Sequence, residues 1–307
     1  MTRKILFDTD PGCDDASALS LALASDELEV VGVTTVAGNT TIENTTRNAL
    51  SVLELHDRTD VPVARGCAAP LWRPLETAEH VHGSSGITGS PPVPDVETID
   101  TSGTRFMLEQ VYEHGDELTI VAVGPLTNVA TAIAIEPDLP ELIDEIAIMG
   151  GAALCPGNST PEAEFNFYVD PEAAQRVVRD GNPRLIGLDV TQDATLTAEF
   201  VEELAERDDP HRTLAAWFGY SEVDAIREGE LSGEQVVHDV TVIIDLIDDI
   251  LEYRRFPVNV GTDDGDFRGA VVCDVNDVTG TPPTANVALE VNVPAFRNRI
   301  AELIEKL

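Results

Sequence analysis

Lysine is almost absent from this 307-residue chain, occurring only as Lys4 and Lys306 near its two ends. The 19 basic residues face 56 acidic ones, for a net charge of -37. Nucleic acid and anionic membranes are held through Lys and Arg meeting phosphate, so neither is an expected partner. An acidic, lysine-poor surface is instead the pattern of a protein kept soluble in concentrated salt, which points to a halophilic habitat. Cys13, Cys67, Cys155 and Cys273 are widely spaced and form no Cys-x-x-Cys pair. That argues against a structural zinc site and for reduced thiols in a cytoplasm. No segment approaches the roughly 18 consecutive apolar residues of a membrane span. Met1-Thr2-Arg3-Lys4 runs straight into the first apolar segment, leaving no room for a signal peptide's core. A soluble, cytoplasmic protein is the expectation.

What is present is alternation. Short apolar runs at 5–7, 28–36, 61–64, 118–123, 145–149 and 185–188 alternate with helical patterns at 14–23, 40–56, 101–114, 126–136 and 171–179. This rhythm predicts an α/β fold: a mostly parallel sheet, Rossmann-like at its core, with helices on both faces. Strands near 256–260, 269–273 and 285–291 are expected before a last helix that runs to Leu307. No repeat or linker interrupts the chain, so residues 1–307 read as a single domain. Three segments, 66–100, 150–168 and 221–238, are too long or too rich in Gly and Pro for plain connections. Loops of that kind are commonly lids or binding loops.

The most informative residues stand at the start. Asp8, Asp10, Asp14 and Asp15 fall within the run Ile5-Leu6-Phe7-Asp8-Thr9-Asp10-Pro11-Gly12-Cys13-Asp14-Asp15. The apolar residues predict a buried parallel strand, and Pro11-Gly12 a tight turn into the first helix. Asp14 or Asp15 can cap that helix and complement its dipole. Capping leaves Asp8 and Asp10 unexplained. Converged carboxylates repel one another, and the usual remedy is a hard divalent cation with oxygen ligands.

Four further motifs follow in order: Val36-Ala37-Gly38-Asn39, then Val121-Ala122-Val123-Gly124-Pro125-Leu126-Thr127-Asn128, then Gly157-Asn158-Ser159-Thr160-Pro161-Glu162-Ala163-Glu164-Phe165-Asn166, and last His238-Asp239. Each sits beside an apolar run, as ligand sites at the carboxyl ends of parallel strands do. With the opening cluster they closely resemble the inosine-uridine nucleoside hydrolase family, whose opening signature is Asp-Thr-Asp-Pro-Gly-x-Asp-Asp. The resemblance covers about residues 4–300.

The resemblance implies a nucleoside hydrolase-like fold and calcium-dependent hydrolysis of the N-glycosidic bond of ribonucleosides, giving free base and ribose in nucleoside salvage or catabolism. Asp10, Asp15, Asp239 and the Val123 carbonyl are the implied Ca2+ ligands, with water and two ribose hydroxyls completing the shell. Asp10 is the implied general base. His238 is the candidate general acid for the leaving base, since imidazole titrates near neutral pH. Asp14, Asn39, Asn158, Glu164 and Asn166 would hold the ribose, whose hydroxyls both donate and accept. Met149 would line the pocket, and His82 would cover it when the Pro-rich loop closes. Trp217 and Tyr220 read as core. A homodimer or homotetramer is the expected assembly.

Two other readings remain open on sequence. Phosphatases of the haloacid dehalogenase class also open with Asp-x-Asp after a strand. They typically use a mid-chain lysine, and none lies between Lys4 and Lys306. The same fold could also bind nucleoside or calcium without turnover.

Overall fold

The computed structural model describes residues 2–79, 83–89, 91–220, 231 and 233–307. Its strands are β1 (Arg3–Thr9), β2 (Leu28–Thr35), β3 (Val63–Arg65), β4 (Leu118–Ala122), β5 (Glu145–Met149), β6 (Arg184–Ile186), β7 (Thr195–Thr197), β8 (Glu234–Val236), β9 (Leu251–Phe256), β10 (Val258–Val260), β11 (Val271–Cys273) and β12 (Ala285–Val291). Eight of them form one sheet in the order β3-β2-β1-β4-β5-β6-β12-β9. Every pairing in it is parallel except that of β12 with β9. The two small ribbons, β7/β8 and β10/β11, are antiparallel.

Side chains along β1 alternate between two cores. Ile5 and Phe7 pack on one face in a core shared with α1 (Cys13–Ala24), α2 (Ile42–Leu55) and four longer helices from the second half of the chain. Leu6, between them, packs on the other face with α3 (Gly103–His114), α4 (Thr127–Ile135) and α6 (Pro171–Asp180), the last of which follows the short α5 (Phe165–Val169). Burial on both faces is why the strands read as continuous apolar runs. Helix starts are set locally: the Asp170 side chain accepts the Ala173 N–H (3.0 Å), and Pro171 occupies the first turn of α6.

The predicted mostly parallel sheet with helices on both faces is what the structure has. Two local expectations change. The strand expected near 256–260 is two strands: β9 ends at Phe256, Pro257 breaks the ladder, and β10 joins β11 instead. Proline has no N–H to give a ladder, so it ends the strand. Helices α7 (Ala198–Ala205) and α8 (His211–Phe218) fall where no element was predicted. The remaining longer helices among the described residues are α9 (Val240–Asp248) and α10 (Val293–Ile304), and two four-residue helices lie at Leu139–Leu142 and Leu188–Thr191. Among the described residues, no helix is long and apolar enough to cross a membrane.

The surplus carboxylates lie mostly at the surface, where Arg299 reaches Glu27 and Glu302, and Arg207 reaches Glu305. Exposed pairs of this kind contribute little each, and carboxylates far outnumber cations. Their repulsion opposes the compact state at low ionic strength. Salt shortens the Debye length from roughly 30 Å at 0.01 M to about 3 Å at 1 M. Melting in about 2 M potassium chloride is therefore expected roughly 5 °C or more above melting in about 0.05 M, with calcium held fixed. An unchanged or lower melting temperature would show that the acidic surface is no salt adaptation.

Candidate active site

The strand order reverses between β1 and β4, and the crevice at such a switch point is where open α/β sheets bind ligands. The opening Asp cluster follows β1 and Val123 follows β4, so both arrive there. A cavity of about 570 Å3 opens above them, of a size suited to a small ligand. Asp14, Asp15, Asn39, Val123, Met149, Asn158, Glu164, Asn166, His238 and Asp239 all line it. All five sequence motifs, together with Met149, thus converge on one space. His82 lies outside the described residues.

Asp10 is fully buried and sits behind this lining. Its Oδ2 accepts the Asn39 N–H (2.6 Å), while its Oδ1 has no hydrogen-bond partner. A Cβ added at Gly38 or Gly124 would collide with one or other of these oxygens, so glycine at both positions is what lets the backbone approach the carboxylate. Burial and the facing Asp15 push the Asp10 carboxyl well above the usual carboxylate range. Asp15 accepts from Thr9 Oγ1 (2.7 Å) and the Asp10 N–H (3.1 Å) on one oxygen. Its other oxygen accepts from the Gly12 N–H (3.1 Å) and Asn39 Nδ2 (3.1 Å). Asn39 therefore bridges Asp10 and Asp15, and Asp15 rather than Asp14 closes the start of α1.

Asp239 stands at the N-cap of α9, yet its side chain makes no capping bond. Burial, and then the charges of Asp15, Asp14, Asp10 and Glu164, raise its carboxyl well above the ordinary range. Asp14 accepts the His238 N–H (2.9 Å) and is pushed up to about 7, chiefly by burial. One group of carboxylates is thus held together against its own repulsion.

A cation among them would restore the ionised forms, because a bound ion inverts the local pKa logic. The orphaned, buried Asp10 Oδ1 and the uncapped Asp239 fit such an ion, and the donors are all oxygen, which suits calcium. Among the described residues no three Asp, Glu, His or Cys groups are already drawn into a metal cage. The fit rests on donor chemistry, the orphaned oxygen and charge.

Three of the residues expected to hold the ribose, Asn158, Glu164 and Asn166, are fixed within the 150–168 loop. Glu164 caps α5, accepting the Asn166 N–H (2.8 Å) and Phe167 N–H (3.2 Å), and also takes the Gly151 N–H (2.9 Å). A carboxylate offers about four acceptor sites, so these bonds leave capacity for a hydroxyl. Burial raises the Glu164 carboxyl. Asn166 Nδ2 donates to the Val123 carbonyl (2.8 Å), and Asn158 Oδ1 accepts the Phe165 N–H (3.1 Å). Met149 is buried at the wall, with its sulfur 3.8 Å from Asn166 Nδ2. His238 Nδ1 lies 2.8 Å from Thr191 Oγ1.

Trp217 is fully buried, as expected of core. Tyr220, read as core, packs partly buried against the core and also borders the cavity. Sequence reasoning also passed over Phe165, Tyr168 and residues 76–78, all on the cavity wall. Phe165 sat between two named motif residues, and that position was the available signal. Nothing in the local sequence marked Thr191.

A sequence model described as inosine-uridine preferring nucleoside hydrolase matches residues 5–298. A pyrimidine-specific ribonucleoside hydrolase, RihA, of Salmonella paratyphi B is 40% identical, over 99% of each chain. The non-specific ribonucleoside hydrolase RihC of Salmonella schwarzengrund is 39% identical over 97% of this chain and 96% of its own. Among solved structures, a plant nucleoside hydrolase superposes with a TM-score of 0.90 at 32% identity, covering 99% of both chains. A purine-preferring ribonucleoside hydrolase from Gardnerella vaginalis gives a TM-score of 0.89 at 29% identity, over 99% of this chain and 100% of its own. The agreement extends from end to end in both sequence and fold, and the chain belongs to the inosine-uridine preferring nucleoside hydrolase family.

Proposed function

We propose that this chain hydrolyses the N-glycosidic bond of ribonucleosides with the help of calcium, releasing free base and ribose in nucleoside salvage or catabolism. The observation that carries the reading is the buried acidic group under a nucleoside-sized cavity, with Asp10 Oδ1 left unpartnered. Members of the family use a metal ion. Calcium is the choice an all-oxygen donor set favours.

Asp10, Asp15, Asp239 and the Val123 carbonyl would hold the ion. When bound it supplies positive charge that lowers the pKa of nearby water and accepts ribose hydroxyls as oxygen donors. Asp14, Asn39, Asn158, Glu164 and Asn166 orient the ribose, and Met149 forms part of the wall. Asp10 takes one proton from the water as its oxygen attacks C1′. The C1′–N bond breaks with its electron pair leaving on the base, and His238 gives the base a proton. The surrounding carboxylates stabilise the oxocarbenium-like character of the sugar in the transition state. His82 covers the site in this reading. Assembly as a homodimer or homotetramer and action in the cytoplasm belong to the same proposal.

The test is a panel of uridine, cytidine, inosine, adenosine and guanosine, in calcium and high salt. Equal amounts of free base and ribose are expected from at least one of them. Which base is preferred is read from the same panel, since the named relatives differ in it. Nucleoside binding without ribose release would contradict hydrolysis and favour a binding protein.

A further inference from the structure

We propose that Thr191 is a positioning residue for departure of the base: its hydroxyl holds the His238 ring by Nδ1, so that Nε2 is the nitrogen presented to the leaving group. This rests on the reading of His238 as the proton donor.

Thr191 is fully buried at the end of the short helix Leu188–Thr191, directly after β6. Its N–H donates to the Gly187 carbonyl (3.1 Å), so its backbone is set by the helical turn. Its hydroxyl lies 2.8 Å from His238 Nδ1, and the His238 N–H is held by Asp14 Oδ2 at 2.9 Å. Backbone and ring of His238 are thus anchored on different elements, the start of α1 and the short helix that follows β6. Two residues before Thr191, Asp189 accepts the N–H groups of Ala153 (2.8 Å) and Leu154 (2.7 Å). One short helix therefore places both the imidazole and the loop that carries the sugar-binding residues.

A hydroxyl suits this position chemically. It donates to a bare Nδ1 and accepts from an Nδ1–H, rotating without moving its oxygen. The bond therefore survives whichever tautomer the ring adopts, and the ring keeps its aim through the reaction. A carbonyl could only accept, and a carboxylate would add a sixth acidic group to a cavity already lined by Asp14, Asp15, Glu76, Glu164 and Asp239.

The test compares Thr191→Val, which keeps the volume and removes the hydroxyl, with Thr191→Ser, which keeps the hydroxyl. Each is assayed on a natural nucleoside that the wild type cleaves and on 4-nitrophenyl riboside, whose leaving group departs without protonation. Thr191→Val is expected to lower kcat on the nucleoside about tenfold to a hundredfold. On the nitrophenyl riboside, and in KM for both substrates, changes of less than about threefold are expected. Thr191→Ser should recover most of the loss. In a His238→Ala background, Thr191→Val should cost nothing more on the nucleoside, because the group it aims is gone.

Equal slowing of both substrates by Thr191→Val would overturn the proposal, as would an additional loss in the His238→Ala background. Failure of Thr191→Ser to recover activity while its melting temperature matches the wild type would also overturn it. If His238→Ala itself slows both substrates equally, the reading of His238 as the acid falls, and the role of Thr191 with it. If His238→Ala separates the two substrates and Thr191→Val does not, only the role of Thr191 falls.

Discussion

Asp10→Asn is expected to lower turnover by more than about three orders of magnitude, because one substitution removes both the proposed metal donor and the proposed base. The surrounding bonds sharpen this. Asp10 Oδ2 accepts the Asn39 N–H, so an amide in its place will turn its oxygen toward that donor. The NH2 group then occupies the position of the orphaned Oδ1. A donor would stand where both a cation and a proton need an acceptor. Folding should not suffer: burial and Asp15 already disfavour the Asp10 charge, so the metal-free variant should melt no lower than metal-free wild type. Near-normal turnover by a folded variant would sink the assignment.

Chelation is expected to remove activity altogether, and added calcium to restore it. Zinc and other thiophilic ions should offer no advantage, because Asp10, Asp15, Asp239 and the Val123 carbonyl present only oxygen. The ion should also stabilise the fold, since it relieves the repulsion that raises Asp10 and Asp239. An ion at 100 times its Kd stabilises by about 2.7 kcal/mol, so calcium should raise the melting temperature of the chelated protein. Full activity in a sample shown by elemental analysis to be metal-free would count decisively against this site.

The parts of the site that were legible in the sequence share a physical trait. Asp8 to Asp15 stood out because four like charges in eight positions demand compensation. Asp239 and Val123 carried no such signal: one stands at an ordinary helix start, and the other would act only through its carbonyl. Only their place in an ordered set of motifs marked them. Phe165, Tyr168 and Tyr220 were hidden because an aromatic that lines a pocket has the same sequence pattern as one in a core. Thr191 was hidden for a related reason, since a buried threonine in a short helical turn after a strand reads as packing.

The fold divides in the same way. The parallel core was legible because strands buried on both faces leave continuous apolar runs, as from Ile5 to Phe7. The edge strand β9 was not, because Glu252, Arg254 and Arg255 are exposed and interrupt any such run.

Direct calcium binding decides most between this reading and its rivals. Metal-free protein, titrated with calcium in a calorimeter at high salt, should take up one ion per chain at saturation, and Asp10→Asn should weaken that uptake sharply. The same wild-type sample, once loaded, should begin to release ribose from nucleoside. Ribose release by protein that shows no saturable calcium binding would contradict the account at its centre.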